Sequence, residues 1–189
     1  MSFKISENAK EWIKDIGVAV VIAIIVLQII MPTIVCEHSM ENTLHEHDYL
    51  FVSKLSYKLF GEPKYGDIIV FQSDITNEAN GSKKLLIKRV IGVPGDELKI
   101  TGGVVYLNGE PLDEPYTKDG YTNTEMDTIT VPEGSLFVMG DNRQNSADSR
   151  DFLRVGFVDQ STVKGKVFLR LYPFNKFGGV YKDIKALQK

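Results

Sequence analysis

Three stretches hold residue types that could do chemistry together. "CEHSMENTL" (36–44) carries Ser39, "KKLLIKRVIGVPGD" (83–96) carries Lys88 and Arg89, and "GDNRQNSADSR" (140–150) crowds Asp141, Ser146, Asp148 and Arg150. A serine hydroxyl is a weak nucleophile until a base takes its proton, so Ser39 alone reads as a turn serine. The base candidate is Lys88. In a strand, residues two apart share a face, which puts Lys88 with Leu86 and Val90, and Arg89 with Ile87 and Ile91. Both faces are apolar, so at least one cation is partly buried. Burial disfavours the charged form of lysine, and a neutral amine can accept a serine proton. Arginine stays protonated and cannot. The competing reading is a lysine that snorkels from an edge strand with its head in water.

The third stretch follows an apolar strand, "SLFVMG", at a position where loops often carry function. Asp148 can pair with Arg150, Asp141 can reach a cation such as Arg89, and Ser146 can hold a lysine amine by hydrogen bond. Turn chemistry by Asn, Asp and Ser accounts for any one of these residues, and less well for the set. A metal-dependent reading would use His38, His45 and His47. "HEHD" (45–48) lacks the H-E-x-x-H spacing, and no helix is indicated there to set two histidines on one face, so no metal site is expected.

The elements that position these residues begin with an apolar run, "IGVAVVIAIIVLQIIMPTIVC" (16–36). It is free of charge and interrupted only by Gln28 and Thr33 as polar residues. About 20 such residues span a bilayer as a helix. The run is longer than a signal-peptide core and offers no small-x-small cleavage site, which favours a retained anchor. Pro32 is expected to end or kink the helix. Lys4, Lys10 and Lys14 precede the run and no lysine or arginine follows it until Lys54, which points the N-terminus inward. The expected organisation is a cytoplasmic tail (1–15), a single-pass plasma-membrane anchor (16–36) and an extracytoplasmic domain (37–189).

Beyond the run the pattern is β. "YLFVSKL", "DIIVFQS", "LLIKRVIGV", "ELKI", "VVYLNG", "TITV", "SLFVMG" and "KVFLRLY" read as strands, with turns at Gly102-Gly103 and Asn108-Gly109 and a polar loop over 73–84. The fold class is mainly β, an antiparallel β domain behind one transmembrane helix. The single cysteine, Cys36, allows no internal disulfide, and the formal net charge of −3 gives no electrostatic reason to expect nucleic acid.

Taken in order, "SMENTL", "KRVIGVPGD" and "GDNRQNSADSR" resemble the S-M-x-P-T-L, K-R-V-I-G-x-P-G-D and G-D-N-R-x-x-S-x-D-S-R motifs of bacterial type I signal peptidases, in their short Gram-positive form. The resemblance continues through "KGKVFLRLYP" and covers nearly the whole chain. It implies a membrane-anchored serine endopeptidase that cuts signal peptides from exported preproteins after small residues (Ala-x-Ala), without metal or cofactor, at the membrane surface near the export machinery. By the same resemblance Ser39 is the nucleophile, with its backbone N–H stabilising the oxyanion, and Lys88 is the general base. Ser146 orients the amine, Asp148 with Arg150 shapes the site, and Arg89 with Asp141 braces it. Met40, Leu44, Leu86 and Ile87 line the substrate pockets. Two positions depart from the pattern: Asn42 replaces a proline, and Glu37 stands where the family carries glycine or serine. These departures motivate an alternative, a non-catalytic or specialised helper for pilus or surface-protein assembly. A self-cleaving repressor with a similar dyad would carry a DNA-binding domain in place of the membrane span.

Overall fold

A computed structural model describes residues 7–77 and 80–181. Helix α1, Glu7–Ile29, runs straight into strand β1, Ile30–Ile34. The remaining strands are β2 (Tyr49–Ser53), β3 (Ile68–Thr76), β4 (Lys83–Gly92), β5 (Glu97–Thr101), β6 (Val104–Leu107), β7 (Glu110–Pro111), β8 (Met126–Thr130), β9 (Ser135–Met139), β10 (Val158–Asp159) and β11 (Val163–Tyr172). One short helix, Ser56–Leu59, follows β2. The pairings are antiparallel, in a seven-stranded sheet ordered β1-β2-β11-β3-β4-β9-β10 and a four-stranded sheet ordered β7-β6-β5-β8. The mainly-β expectation holds, and the turns at Gly102-Gly103 and Asn108-Gly109 join β5 to β6 and β6 to β7. Both residues of each turn have positive φ, the geometry that matches strand twist in a two-residue hairpin.

The helix differs from the expected 16–36 span at both ends. Residues 7–15, read as tail, are helical, and Ile30–Ile34 is strand; Lys4 lies outside the described residues. Pro32 biases Met31 away from helical geometry, and the β-branched residues around it suit an extended chain. As an edge strand, β1 tolerates a residue with no N–H to give a second neighbour. Lys54 closes the helix end, its N–H donating to the Ile29 carbonyl (2.9 Å) and its Nζ to the Leu27 carbonyl (2.8 Å). It supplies a cation at the negative end of a helix with no basic residue in its own last turn.

At 23 residues, α1 is about 34 Å long, enough to cross the roughly 30 Å of hydrocarbon. None of its apolar window is buried against the rest of the chain, unlike the core helix of a soluble protein. The expected 73–84 loop is strand at both ends: β3 continues through Thr76, β4 begins at Lys83, and the Asn77 N–H donates to the Ser82 carbonyl (2.7 Å). Its polar residues alternate on the exposed end of a hairpin, a pattern that composition alone presents as loop.

Two core clusters flank the site. Met40, Leu44, Leu50, Val52, Ile68, Val70 and Val167 pack on one side, and Ile69, Phe71, Leu86, Val90, Leu136 and Val138 on the other. Strand β4 runs between them. It pairs with β3 from Lys83 to Arg89 and with β9 only from Arg89 to Gly92.

Candidate active site

The register of β4 leaves its first half without a partner on the β9 side among the described residues. Among the described residues strand β1 pairs with β2 alone, which leaves its outer edge open too. The curl of the sheet brings the two edges to face each other across a cleft of about 580 Å³, walled by 33–37 on one side and 82–87 on the other, with Val70 between. Alternation along β4 sends the Val90 N–H to the Asp67 carbonyl on the β3 side (2.8 Å), so the backbone groups of Leu85 and Ile87 face the cleft.

At one end of this cleft the Lys88 Nζ donates to the Ser39 Oγ at 2.6 Å, with both residues buried. Burial pushes the Lys88 amine below the ordinary lysine range. The negative charges of Asp148, Glu37 and Asp141 oppose that shift without reversing it, and Arg150 adds to it. A neutral amine touching a hydroxyl can take its proton.

The turn carrying Ser39 is pinned from three directions. Asn142 holds it at two successive carbonyls: its N–H donates to the Ser39 carbonyl (3.0 Å) and its Nδ2 to the His38 carbonyl (3.1 Å). Arg170 of β11 pairs with Asp48 (3.0 Å) and donates to the Thr43 carbonyl. Thr43 Oγ1 donates to Asp141, which also accepts two bonds from Arg89, Nε (2.8 Å) and Nη2 (2.6 Å). Arg89 in turn donates to the Gly66 carbonyl (3.0 Å) and lies over the Tyr116 ring, 4.0 Å from its centre. The Ser39 N–H makes no hydrogen bond among the described residues, which leaves it available to a ligand.

The dense loop closes the back of the site. Arg150 makes two bonds to Asp148 (2.8 and 2.9 Å) and donates to the Arg143 carbonyl (2.8 Å), while Asp148 accepts the Gly140 N–H (3.0 Å). Burial works to raise the Asp148 pKa, but Arg150 and the Gly140 N–H outweigh it and hold the carboxyl below its usual range. Arg143 makes a two-pronged pair with Glu114 and donates to Thr122 Oγ1 (2.7 Å). Gly140 has no room for a side chain: a Cβ there would collide with Ser146 and with the Ser39 carbonyl.

The sequence-predicted residues are thus brought together, with two differences. Ser146 Oγ is buried beside Gly140 and on the side of Asp148, and it makes no hydrogen bond to Lys88, so the expected bond is not formed. Leu44 is fully buried in the core and does not line the cleft, whereas Met40, Leu86 and Ile87 do. Leu44 faces inward because its N–H closes a turn on the Met40 carbonyl (2.7 Å). Sequence reasoning missed Asn142, Arg143, Thr43, Glu114 and Arg170. The first two stand inside the loop already singled out. Thr43 stands inside the Ser39 stretch and matches its motif, whereas Glu114 and Arg170 are polar residues with no local signal, defined by partners elsewhere in the chain. Glu37, the main departure, extends across the cleft mouth to Lys84 (3.9 Å).

The family model described as "Signal peptidase, peptidase S26" matches residues 9–172. Among curated relatives, "Signal peptidase I" of Bacillus licheniformis is 37% identical over 176 residues, covering 88% of this chain and 90% of that one. "Signal peptidase I S" of Bacillus subtilis strain 168 is 37% identical over 177 residues (88% and 90%). "Signal peptidase IB" of Staphylococcus aureus strain N315 is 35% identical over 185 residues (88% and 91%).

Two stability predictions follow from the burial of these charges. Asp141→Ala strands the fully buried Arg89 without its partner and is expected to destabilise the domain by about 3–5 kcal/mol in denaturant titration. Lys88→Met is expected to stabilise it at neutral pH. The unfolded chain holds the lysine proton up to about pH 10.4 and the folded chain releases it at lower pH, so folding at neutral pH works against proton binding. The gain is readable as a rise in Tm and shrinks as pH rises through the range between the two values.

Proposed function

The chain belongs to the S26 family of signal peptidases, and on that premise we propose that it is a membrane-anchored peptidase cutting signal peptides from exported preproteins by a Ser39/Lys88 mechanism. The observation that carries this reading is the 2.6 Å contact between a buried lysine amine and Ser39 Oγ at the end of a cleft with two unpaired strand edges. An extended peptide can add as a strand between those edges, its backbone bonding to β1 and β4 while alternate side chains face the floor. Met40, Val70 and Leu86 make that floor shallow and apolar, which suits small side chains at the first and third positions before the cut.

With a peptide so placed, neutral Lys88 takes the Ser39 proton as Oγ attacks the scissile carbonyl. The resulting oxyanion is met by the free Ser39 N–H. Collapse of the tetrahedral intermediate breaks the C–N bond, and the proton held by Lys88 passes to the leaving amine. A water then attacks the acyl-enzyme, giving its proton to Lys88, and the carboxylate product leaves as Oγ is reprotonated. Asn142, Arg89 with Asp141, and Arg150 with Asp148 are positioning residues: they fix the two reacting groups without touching the peptide. The lysine bias of the tail supports an inward N-terminus and a catalytic domain outside the plasma membrane, where the signal peptides of emerging preproteins, the export machinery and lipid meet it. The helper reading is not favoured, since the residues that chemistry requires are assembled.

Full-length protein in detergent is expected to cleave a preprotein, and Ser39→Ala and Lys88→Ala to lose that activity. Undiminished cleavage by Lys88→Ala would sink the mechanism. The rate is expected to fall as pH drops through the depressed Lys88 pKa, because protonation removes the base; a flat profile through the acid range would exclude Lys88 from that role. Gly140→Ala is expected to lower kcat by roughly 10²-fold, since it displaces the nucleophile's peptide, with a folded domain by circular dichroism.

A further inference from the structure

We propose that Glu37 reads the charge of the substrate side chain at the second position before the cut and favours a basic one. The inference rests on the signal-peptidase reading and deepens it. Burial across the cleft is graded. Met40, Val70 and Leu86 at the floor are almost fully buried, whereas the side chains of Glu37 and Lys84 at the mouth are 53% and 40% exposed. In an extended peptide the first and third residues before the cut point one way and the second points the other. If the first and third occupy the apolar floor, the second faces the mouth, between Glu37 and Lys84.

The two charges are not equivalent there. Glu37 is a short side chain on a backbone pinned on both sides. Val35 exchanges hydrogen bonds with the 47–48 segment, and the His38 and Ser39 carbonyls are held by Asn142. Lys84 reaches across the mouth on a flexible four-carbon stem to a loose contact of 3.9 Å. A substrate strand entering between the walls separates the pair. Lys84 can swing into water, while the Glu37 carboxylate stays beside the peptide. Lys83, the other cation at this rim, is engaged by Asp74 at 2.6 Å. The site then presents one unpaired carboxylate to the mouth-facing side chain, attracting lysine or arginine and repelling aspartate or glutamate.

The test uses the full-length protein in detergent with three preprotein-derived peptides that differ only at the second position before the cut: Lys, Gln or Glu. Expected is a fall in kcat/KM from Lys to Gln to Glu of about two- to fivefold per step at low salt, the range of half-exposed ion pairs. The series is expected to flatten in 1 M NaCl. Glu37→Gln is expected to collapse the Lys-to-Glu ratio towards one, Lys84→Met to widen it, and Glu37→Lys to invert it, whatever happens to the absolute rates. Equal cleavage of the three peptides by the wild type, or a ratio that Glu37→Gln and Glu37→Lys leave unchanged, would overturn the proposal while leaving the peptidase reading intact. Failure of the folded wild type to cut any of the peptides would remove both.

Discussion

The site depends on an amine kept out of water and against a hydroxyl. An ammonium would be the ordinary state of Lys88, and carboxylates nearby favour that state. Asp148 and Asp141 are both fully buried within its electrostatic reach. Each is committed elsewhere, Asp148 to two Arg150 bonds and Asp141 to two Arg89 bonds. The guanidiniums cancel much of the charge that would otherwise hold the proton on Lys88. Because arginine does not deprotonate, this cancellation persists wherever the lysine titrates. Buried ion pairs contribute little net stability as a rule. Here their local consequence is electrostatic and geometric: they fix the Ser39 turn and the lysine's strand while adding almost no net charge beside the amine.

The cleft results from incomplete pairing. An antiparallel sheet that curls towards closure ordinarily conceals its edges. In this chain β9 reaches only the second half of β4, and β1 is paired on one side, so backbone donors and acceptors are left facing each other across a gap. The same β1 is the direct continuation of the apolar helix, and Lys54 ties the helix end to the segment after β2. One wall of the cleft is therefore part of the anchor itself. The apolar helix and the cleft wall are joined by the covalent chain, with no linker between them.

Much of this was legible in the sequence, for identifiable reasons. Strands with period-two alternation and Gly-rich turns declare themselves locally. Lys88 stood out because both faces of its strand are apolar, and Arg89 with Asp141 was an available charge match. Where the helix stops was not legible: an apolar run of Val and Ile is compatible with both helix in lipid and strand in a core, and only the pairing of Ile30–Ile34 with β2 decides. Leu44 looked like a cleft residue from its motif, yet the turn that presents Ser39 rotates it into the core. Glu114 and Arg170 were silent because their roles are set by partners outside their own stretches, Glu114 by Arg143 and Arg170 by the Thr43 carbonyl across the fold.

The departure at Glu37 is the sharpest physical question the site poses. A carboxylate two residues before the nucleophile would oppose an oxyanion forming at Ser39 if it pointed into the site. It instead extends across the mouth to Lys84, and the donor left free at the centre is the Ser39 N–H. Its side chain is more than half exposed, so water screens the charge it adds near Lys88. The influence of that charge is still of the opposite sign to burial, favouring the ammonium. Glu37 thus sets a charge at the rim and not beside the Ser39 N–H. The carboxylate and the Ser39–Lys88 pair occupy different depths, the pair buried at one end of the cleft and the carboxylate at its exposed mouth.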